Sequence, residues 1–242
     1  MIPPELAEII KDYSIQEHPY NESGARIYRL TSTQKTLYLK IRINDPEQRL
    51  LREDTTLKWI NGRILTPEVI YNQNSSEISF LLTTAAAGTP INHAPKRDRP
   101  DAMIAAAQAL RCIHSIPITG CPYINTLRSR LEKIRTLNLK DDQKIILTRL
   151  ESSPPSENLA FTHGDYCLPN ILVTGTHLDG VIDWDSSGVA DPYTDLASAA
   201  WSIEYNFPDE AEELLNTFLN TYGIEIDERK FDYYLDLGQL FE

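Results

Sequence analysis

The chain has 242 residues, 41% hydrophobic and 24% charged, enough to bury a sizeable core in one large domain or two small lobes. Its 23 Lys and Arg against 35 Asp and Glu give a formal charge of −12, which disfavours nucleic acid or an anionic membrane as partner and favours cationic ligands, although solubility alone explains such a number equally well. Three cysteines (Cys112, Cys121, Cys167) without a C-x-x-C pair indicate neither a disulfide framework nor a zinc site, and with no apolar signal core or membrane-length run the expected location is cytoplasmic.

In chain order, residues 3–12 read as a short helix, and residues 24–43 as a hairpin of two strands (25–30 and 36–41) about a polar turn. Asn21-Glu-Ser-Gly24 precedes the first strand. Such a loop can fold over phosphates through backbone N–H groups, but it is also an ordinary turn. Lys40 stands in the second strand among apolar neighbours, and residues 46–60 form the next helix, with Glu53 its nearest suitable acid. Two strands follow at 67–71 and 78–82, then a small-residue connector at 83–88. Composition shifts there from β-rich to helical, so the lobes are expected to divide into 1–86 and 87–242. Residues 99–114 form an Ala-rich helix ended by His114, read as a C-terminal capping residue. Helices at 124–137 and 141–150 come next, joined by a link with a small acidic cluster that includes Asp141 and Asp142. After the 152–156 loop, residues 159–162 are a strand, 163–170 a polar loop and 171–174 a strand. Residues 181–185 read as an apolar strand ending in carboxylates, and 188–192 as a turn. Helices at 195–203, 209–222 and 227–241 complete an α+β pattern with two lobes.

The polar loop carries the chemistry. Protein kinases use H-R-D-x-x-x-x-N with a separate metal-binding Asp shortly after. His163, Asp165 and Asn170 keep that spacing, and Asp183 stands where the metal Asp is expected. Phosphoryl transfer needs a carboxylate to orient the attacking hydroxyl and take its proton, which suits Asp165. It also needs oxygen ligands for Mg²⁺, which one amide oxygen (Asn170) and one carboxylate (Asp183) supply alongside water and phosphate. The same template places a phosphate-binding Lys on a strand, paired with a helix Glu, as with Lys40 and Glu53. Gly, Asp, Pro and Asn are also turn formers, and an exposed Lys with a solvated Glu is the commoner arrangement, so the downstream loop carries this reading.

These motifs, with Gly188-Val-Ala-Asp-Pro-Tyr-Thr-Asp-Leu-Ala197, His114-Ser-Ile-Pro-Ile-Thr-Gly-Cys-Pro-Tyr123 and Thr36-Leu-Tyr-Leu-Lys40, resemble the aminoglycoside phosphotransferases, in particular their 3′ branch. The resemblance runs from about residue 21 to the C-terminus. It implies a bilobal, protein-kinase-like fold, β-rich in its N-terminal lobe and mostly helical in its C-terminal lobe. It also implies a kinase that uses ATP (or GTP) and Mg²⁺ to phosphorylate a hydroxyl, and a monomer or weak dimer. By resemblance Ser23 and Gly24 belong to the nucleotide loop, Tyr38 lies near the adenine, and Thr84 and Ala86 contact the base through the connector. Lys40 holds phosphates and Glu53 orients it, Asp165 is the base, Asn170 and Asp183 hold the metal, and His163, Asp191 and Asp195 support the catalytic loop. Relatives hold the amines of their substrate with acidic groups, for which Asp141, Asp142, Asp236 and Glu242 are the candidates here, although a solvated helix end accounts for the last two as well.

Gly164 replaces the Arg of the protein-kinase loop, and few residues separate Asp183 from Gly188, so a phosphorylated activation loop is not expected. Asp185 and Ser186 stand where many 3′ enzymes carry Gly-Arg. The expected activity is phosphorylation of a cationic small molecule, an aminoglycoside first and another alcohol (an amino alcohol, a macrolide sugar or an amino acid) second. A catalytically silent binding protein is a third reading, disfavoured by the intact chemical positions. Five scattered His give no metallophosphoesterase spacing.

Overall fold

A computed structural model describes residues 2–18, 24–75 and 77–241. The first lobe is an antiparallel sheet ordered β1-β2-β3-β5-β4. Its strands are β1 (Ser14–Glu17), β2 (Arg26–Thr31), β3 (Thr36–Ile43), β4 (Val69–Gln73) and β5 (Ile78–Thr84). Helix α1 (Pro4–Ile10) packs on one face, where Leu6 and Ile10 meet Leu30, Leu37, Leu39, Phe80 and Leu82. Side chains alternate along a strand, so burying Leu37 and Leu39 there turns Tyr38, Lys40 and Arg42 to the opposite face. Helix α2 (Arg49–Ile60) is reached from that second face, yet its Leu57 and Ile60 join the larger core of the other lobe.

That lobe holds α3 (Arg99–His114), α4 (Leu127–Ile134), α5 (Asp141–Ser152), α6 (Tyr193–Asn206), α7 (Ala211–Tyr222) and α8 (Glu228–Gly238). Two small sheets lie against them. One is ordered β6-β8-β9, from β6 (Thr89–Pro90), β8 (Ile171–Thr174) and β9 (His177–Val181); the other pairs β7 (Ala160–Thr162) with β10 (Gly188–Ala190). The alanines of α3 leave room for close approach, and the buried Tyr166 hydroxyl donates to the Ala106 carbonyl at 2.8 Å, seating the catalytic loop on that helix. No helix among the described residues is long and apolar enough to cross a membrane.

Three departures from the sequence reading have local causes. The expected strand at 181–185 ends at Val181, because Asp183 adopts φ +67° and ψ +62° and the chain turns. Strand β1 has no apolar alternation, since all four of its residues are exposed on a sheet edge. The expected turn at 188–192 begins as a strand, Gly188 to Ala190 pairing with Thr162 to Ala160.

Candidate active site

The register of the β8–β9 hairpin brings the two expected metal ligands together. Ile171 pairs with Val181, and the Ile182 N–H donates to the Asn170 carbonyl at 3.0 Å, so Asn170 and Asp183 come off adjacent strand ends. Left-handed backbone is uncommon outside Gly and concentrates at functional sites. Here it aims the Asp183 carboxylate back at the first lobe, where Lys40 Nζ donates to its Oδ1 at 2.8 Å. Lys40 also donates to both oxygens of Glu53 at 2.8 Å. Trp184 anchors the turn: it is fully buried, donates from Nε1 to the Val181 carbonyl and stacks on Phe161.

Charge in this cluster is uneven. Burial works against the Lys40 ammonium, but the Asp183 and Glu53 carboxylates outweigh it and raise its pKa, so it stays charged. Lys40 holds Asp183 below the ordinary carboxylate range despite burial. Glu53 is the more buried acid and competes with Asp183 for one cation; burial pushes it up to about 7, with Lys40 pulling the other way.

Asp165 follows from a loop whose every turn is held. His163 is buried and donates from Nε2 to the Ile182 carbonyl at 2.9 Å, leaving Nδ1 to accept the Asp165 N–H at 3.3 Å. Asn170 Nδ2 donates to the Asp165 carbonyl at 3.0 Å and to its Oδ2 at 3.2 Å, which leaves the amide oxygen of Asn170 to serve another partner. Burial, and secondarily the nearby Asp183, raise the Asp165 pKa, while His163 opposes. An amide oxygen and a carboxylate are hard donors, and the pair fits Mg²⁺ completed by water and phosphate oxygens.

Asp195 holds this loop from below. Its carboxylate is fully buried and accepts the His163 and Gly164 N–H groups at 2.8 and 2.7 Å, and His114 Nε2 at 3.0 Å. Burial pushes its pKa up, but the His114 bond and charge and the backbone donor prevail and lower it. Asp191, expected beside it, is instead tied to the Asn158 and Tyr193 N–H groups and to Lys230 Nζ, because it lies outside the inward turn of α6 that presents Asp195. It braces the approach to β7 and the docking of α8. His114 is also corrected: its ring turns inward to Asp195 and the Tyr222 hydroxyl, while Ser115 satisfies the end of α3. A buried carboxylate demands donors, and no spacing rule links residues this far apart in sequence.

Gly164 sits at φ +86°, and a Cβ there would lie 2.1 Å from the Ser186 carbonyl oxygen. This explains the missing Arg, since no side chain fits between the catalytic loop and the turn after Asp183. The Gly164→Ala variant should lose about 1–3 kcal/mol to backbone strain and about 100-fold in kcat through displacement of Asp165. Thermal melts with steady-state assays check this, and wild-type kcat with an unchanged Tm would refute the steric account.

The other expected positions divide. Tyr38 shares the face of Lys40 and lies edge-on to the His18 ring at 6.4 Å. Gly24 is left-handed, at φ +71°. Thr84 accepts the Glu68 N–H on its hydroxyl, and the Ala86 methyl packs where a Cβ on Gly180 would stand, so the connector presses on β9. Asp141 pairs with Lys144 in solvent, Asp142 is exposed, and Asp236 pairs with Arg149. Among the described residues no hydrogen bond or ion pair links these three to Asp165, Asn170 or Asp183. Ser23 and Glu242 lie outside the described residues.

A β-sheet lobe whose strand Lys grips a helix Glu, set over a helical lobe whose loop presents an Asp and an Asn beside a second Asp, defines an enzyme of protein-kinase-like fold. The chain belongs to the phosphotransferase enzyme family, whose model matches residues 15–234. It is 30% identical to an aminoglycoside 3′-phosphotransferase of Enterococcus faecalis, over 99% of this chain and 98% of that one. It is 29% identical to one of Niallia circulans, over 99% and 97%. Among solved structures it resembles an aminoglycoside 3′-phosphotransferase of type VIII, with TM-score 0.82, 26% identity and coverage of 95% and 94%. It also resembles a 3″-phosphotransferase of Streptomyces rimosus, with TM-score 0.83, 25% identity and coverage of 97% and 95%.

Proposed function

We propose that this phosphotransferase moves the γ-phosphoryl group of ATP or GTP to a hydroxyl of a cationic small molecule, an aminoglycoside at its 3′-hydroxyl being the first choice. The observation that carries the reading is that Lys40, Glu53 and Asp183 meet at 2.8 Å although 143 residues of chain separate the first from the last. Relatives named for the 3′ reaction support the acceptor, and the charge of −12 suits a polycation. The lobes are taken to divide at 86/87, where the connector would meet the base through its backbone.

Lys40 neutralises and orients the phosphates, and Glu53 keeps it pointed into the cleft. Asp165 accepts the hydrogen bond of the attacking hydroxyl and takes its proton as the new P–O bond forms, the nucleoside diphosphate leaving with the electrons of the bond that breaks. Asn170 and Asp183 would hold Mg²⁺, which supplies neutralisation of charge on the phosphate oxygens. Most of the acceleration comes from positioning these groups.

A panel of aminoglycosides with and without a 3′-hydroxyl, assayed by ADP release with Mg·ATP and Mg·GTP, tests the assignment. Turnover should be seen with 3′-hydroxyl substrates and fall at least about 100-fold for their 3′-deoxy analogues. Equal turnover of the deoxy analogues would refute the regiochemistry, and turnover confined to amino alcohols or macrolides would refute the acceptor class.

A further inference from the structure

Several polar groups outside the phosphate and metal positions converge on the three residues after Trp184. Arg52, the neighbour of Glu53 on α2, donates from Nε to the Asp185 carbonyl at 2.9 Å. One of its terminal nitrogens reaches the Ser187 carbonyl at 3.4 Å and Asn125 Oδ1 at 3.3 Å. Its guanidinium lies over the Tyr123 ring, 4.0 Å from the centroid. Asn125 Nδ2 takes the remaining carbonyl, donating to Ser186 at 2.8 Å and Ser187 at 3.0 Å, and its own N–H is tied to Val189 of β10. Thr56, one turn along α2, shares a hydrogen bond with the Ser187 hydroxyl at 2.8 Å.

Three consecutive carbonyls thus meet two side chains, and the forked, planar donors of Arg match such an array where a single ammonium does not. The stretch they hold adjoins three parts of the site. Upstream it continues into the left-handed Asp183, its Ser186 carbonyl fills the space beside Gly164, and Arg52 ties it to the helix that bears Glu53. In protein kinases the helix Glu is brought to its Lys by a phosphorylated loop. No long segment intervenes here between Asp183 and β10.

We propose that Arg52, seconded by Asn125, is a positioning residue for phosphoryl transfer, a latch that holds α2 against the 185–187 turn and so keeps Glu53 on Lys40 without covalent activation. The latch acts through Glu53 and touches neither phosphate nor acceptor. This rests on the phosphotransferase reading of the site.

Arg52→Ala, Arg52→Lys, Asn125→Ala, Glu53→Ala and the Arg52→Ala/Glu53→Ala double variant of the full chain test it. Arg52→Ala should lower kcat about 100-fold with acceptor KM within about threefold, the signature of a lost transition-state arrangement. Because the latch works through Glu53, the double variant should be no slower than Glu53→Ala alone, a non-additivity that general destabilisation does not produce. A kcat within about threefold of wild type, or full multiplication of the two losses, would overturn the proposal. Arg52→Lys keeps charge and length but not the fork; it decides the matter if the Ala variant does not fold, with a kcat loss of about tenfold expected and wild-type kcat refuting. Were the wild-type chain to phosphorylate no acceptor, the functional reading would fail, and amide hydrogen exchange over residues 49–60 would still report the latch. Exchange should rise at least about tenfold in Arg52→Ala, and unchanged exchange would refute it.

Discussion

Replacing Asp165 by Asn should lower kcat by about 1,000-fold, within the range ascribed to a positioned general base, while Mg·nucleotide affinity stays within about threefold. The substitution is nearly isosteric, so Asn170 Nδ2 keeps an oxygen to donate to and the loop keeps its shape. What is lost is the acceptor for the proton of the attacking hydroxyl. Asp183→Asn should behave differently: its carboxylate faces Lys40 as well as the expected cation, so nucleotide affinity should fall along with rate. Steady-state kinetics beside calorimetric titration with Mg·ADP separate the two. An Asp165→Asn enzyme within tenfold of wild type would remove Asp165 from the chemistry.

Truncating Asp195 should produce the largest loss of stability. Asp195→Ala strands two backbone N–H groups and the His114 ring in a place water does not reach. Each unsatisfied buried group costs about 1–3 kcal/mol, and breaking a buried charged arrangement about 3–5 kcal/mol, so about 4 kcal/mol is expected. Against a typical total of about 5–15 kcal/mol the variant would be marginal at 37 °C. Urea melts measure this, and a loss below about 1 kcal/mol would show that the loop is held by other contacts. Asp195→Asn retains one acceptor and should fall between. Because the folded-state pKa of Asp195 is lowered, its contribution is complete above the unfolded carboxylate value of about 3.9 and is lost as pH falls through the lower folded value. The wild-type chain should therefore lose stability below about pH 4 more steeply than Asp195→Asn.

The fold class was legible because both lobes declare themselves locally, in the alternation about Lys40 and the Ala-rich period of α3. The positions of Asp165, Asn170 and Asp183 were legible as spacing, since a loop and one hairpin join them and the hairpin register does the rest. What escaped were partners chosen by the tertiary fold. Asp191 and Asp195 lie in one motif, and only the phase of α6 decides which carboxylate reaches the loop. His114 looked like a helix end because its partner is 81 residues away. Arg52 drew no reading at all, because nothing within a helical turn of it reveals the carbonyls it serves. The acidic substrate candidates drew on charge alone, and charge does not distinguish a binding carboxylate from one paired with Lys144 or Arg149.

The apolar interior is divided unequally, and α2 is fastened to the larger share. Heating should therefore take the molecule apart in sequence. The sheet with its α1 cover, stabilised by a few aliphatic side chains and Phe80, gives way first, while α2 melts later with the helical body. Calorimetry of the free chain would then show a low-temperature shoulder, and a nucleotide bridging the two parts would merge it into the main transition.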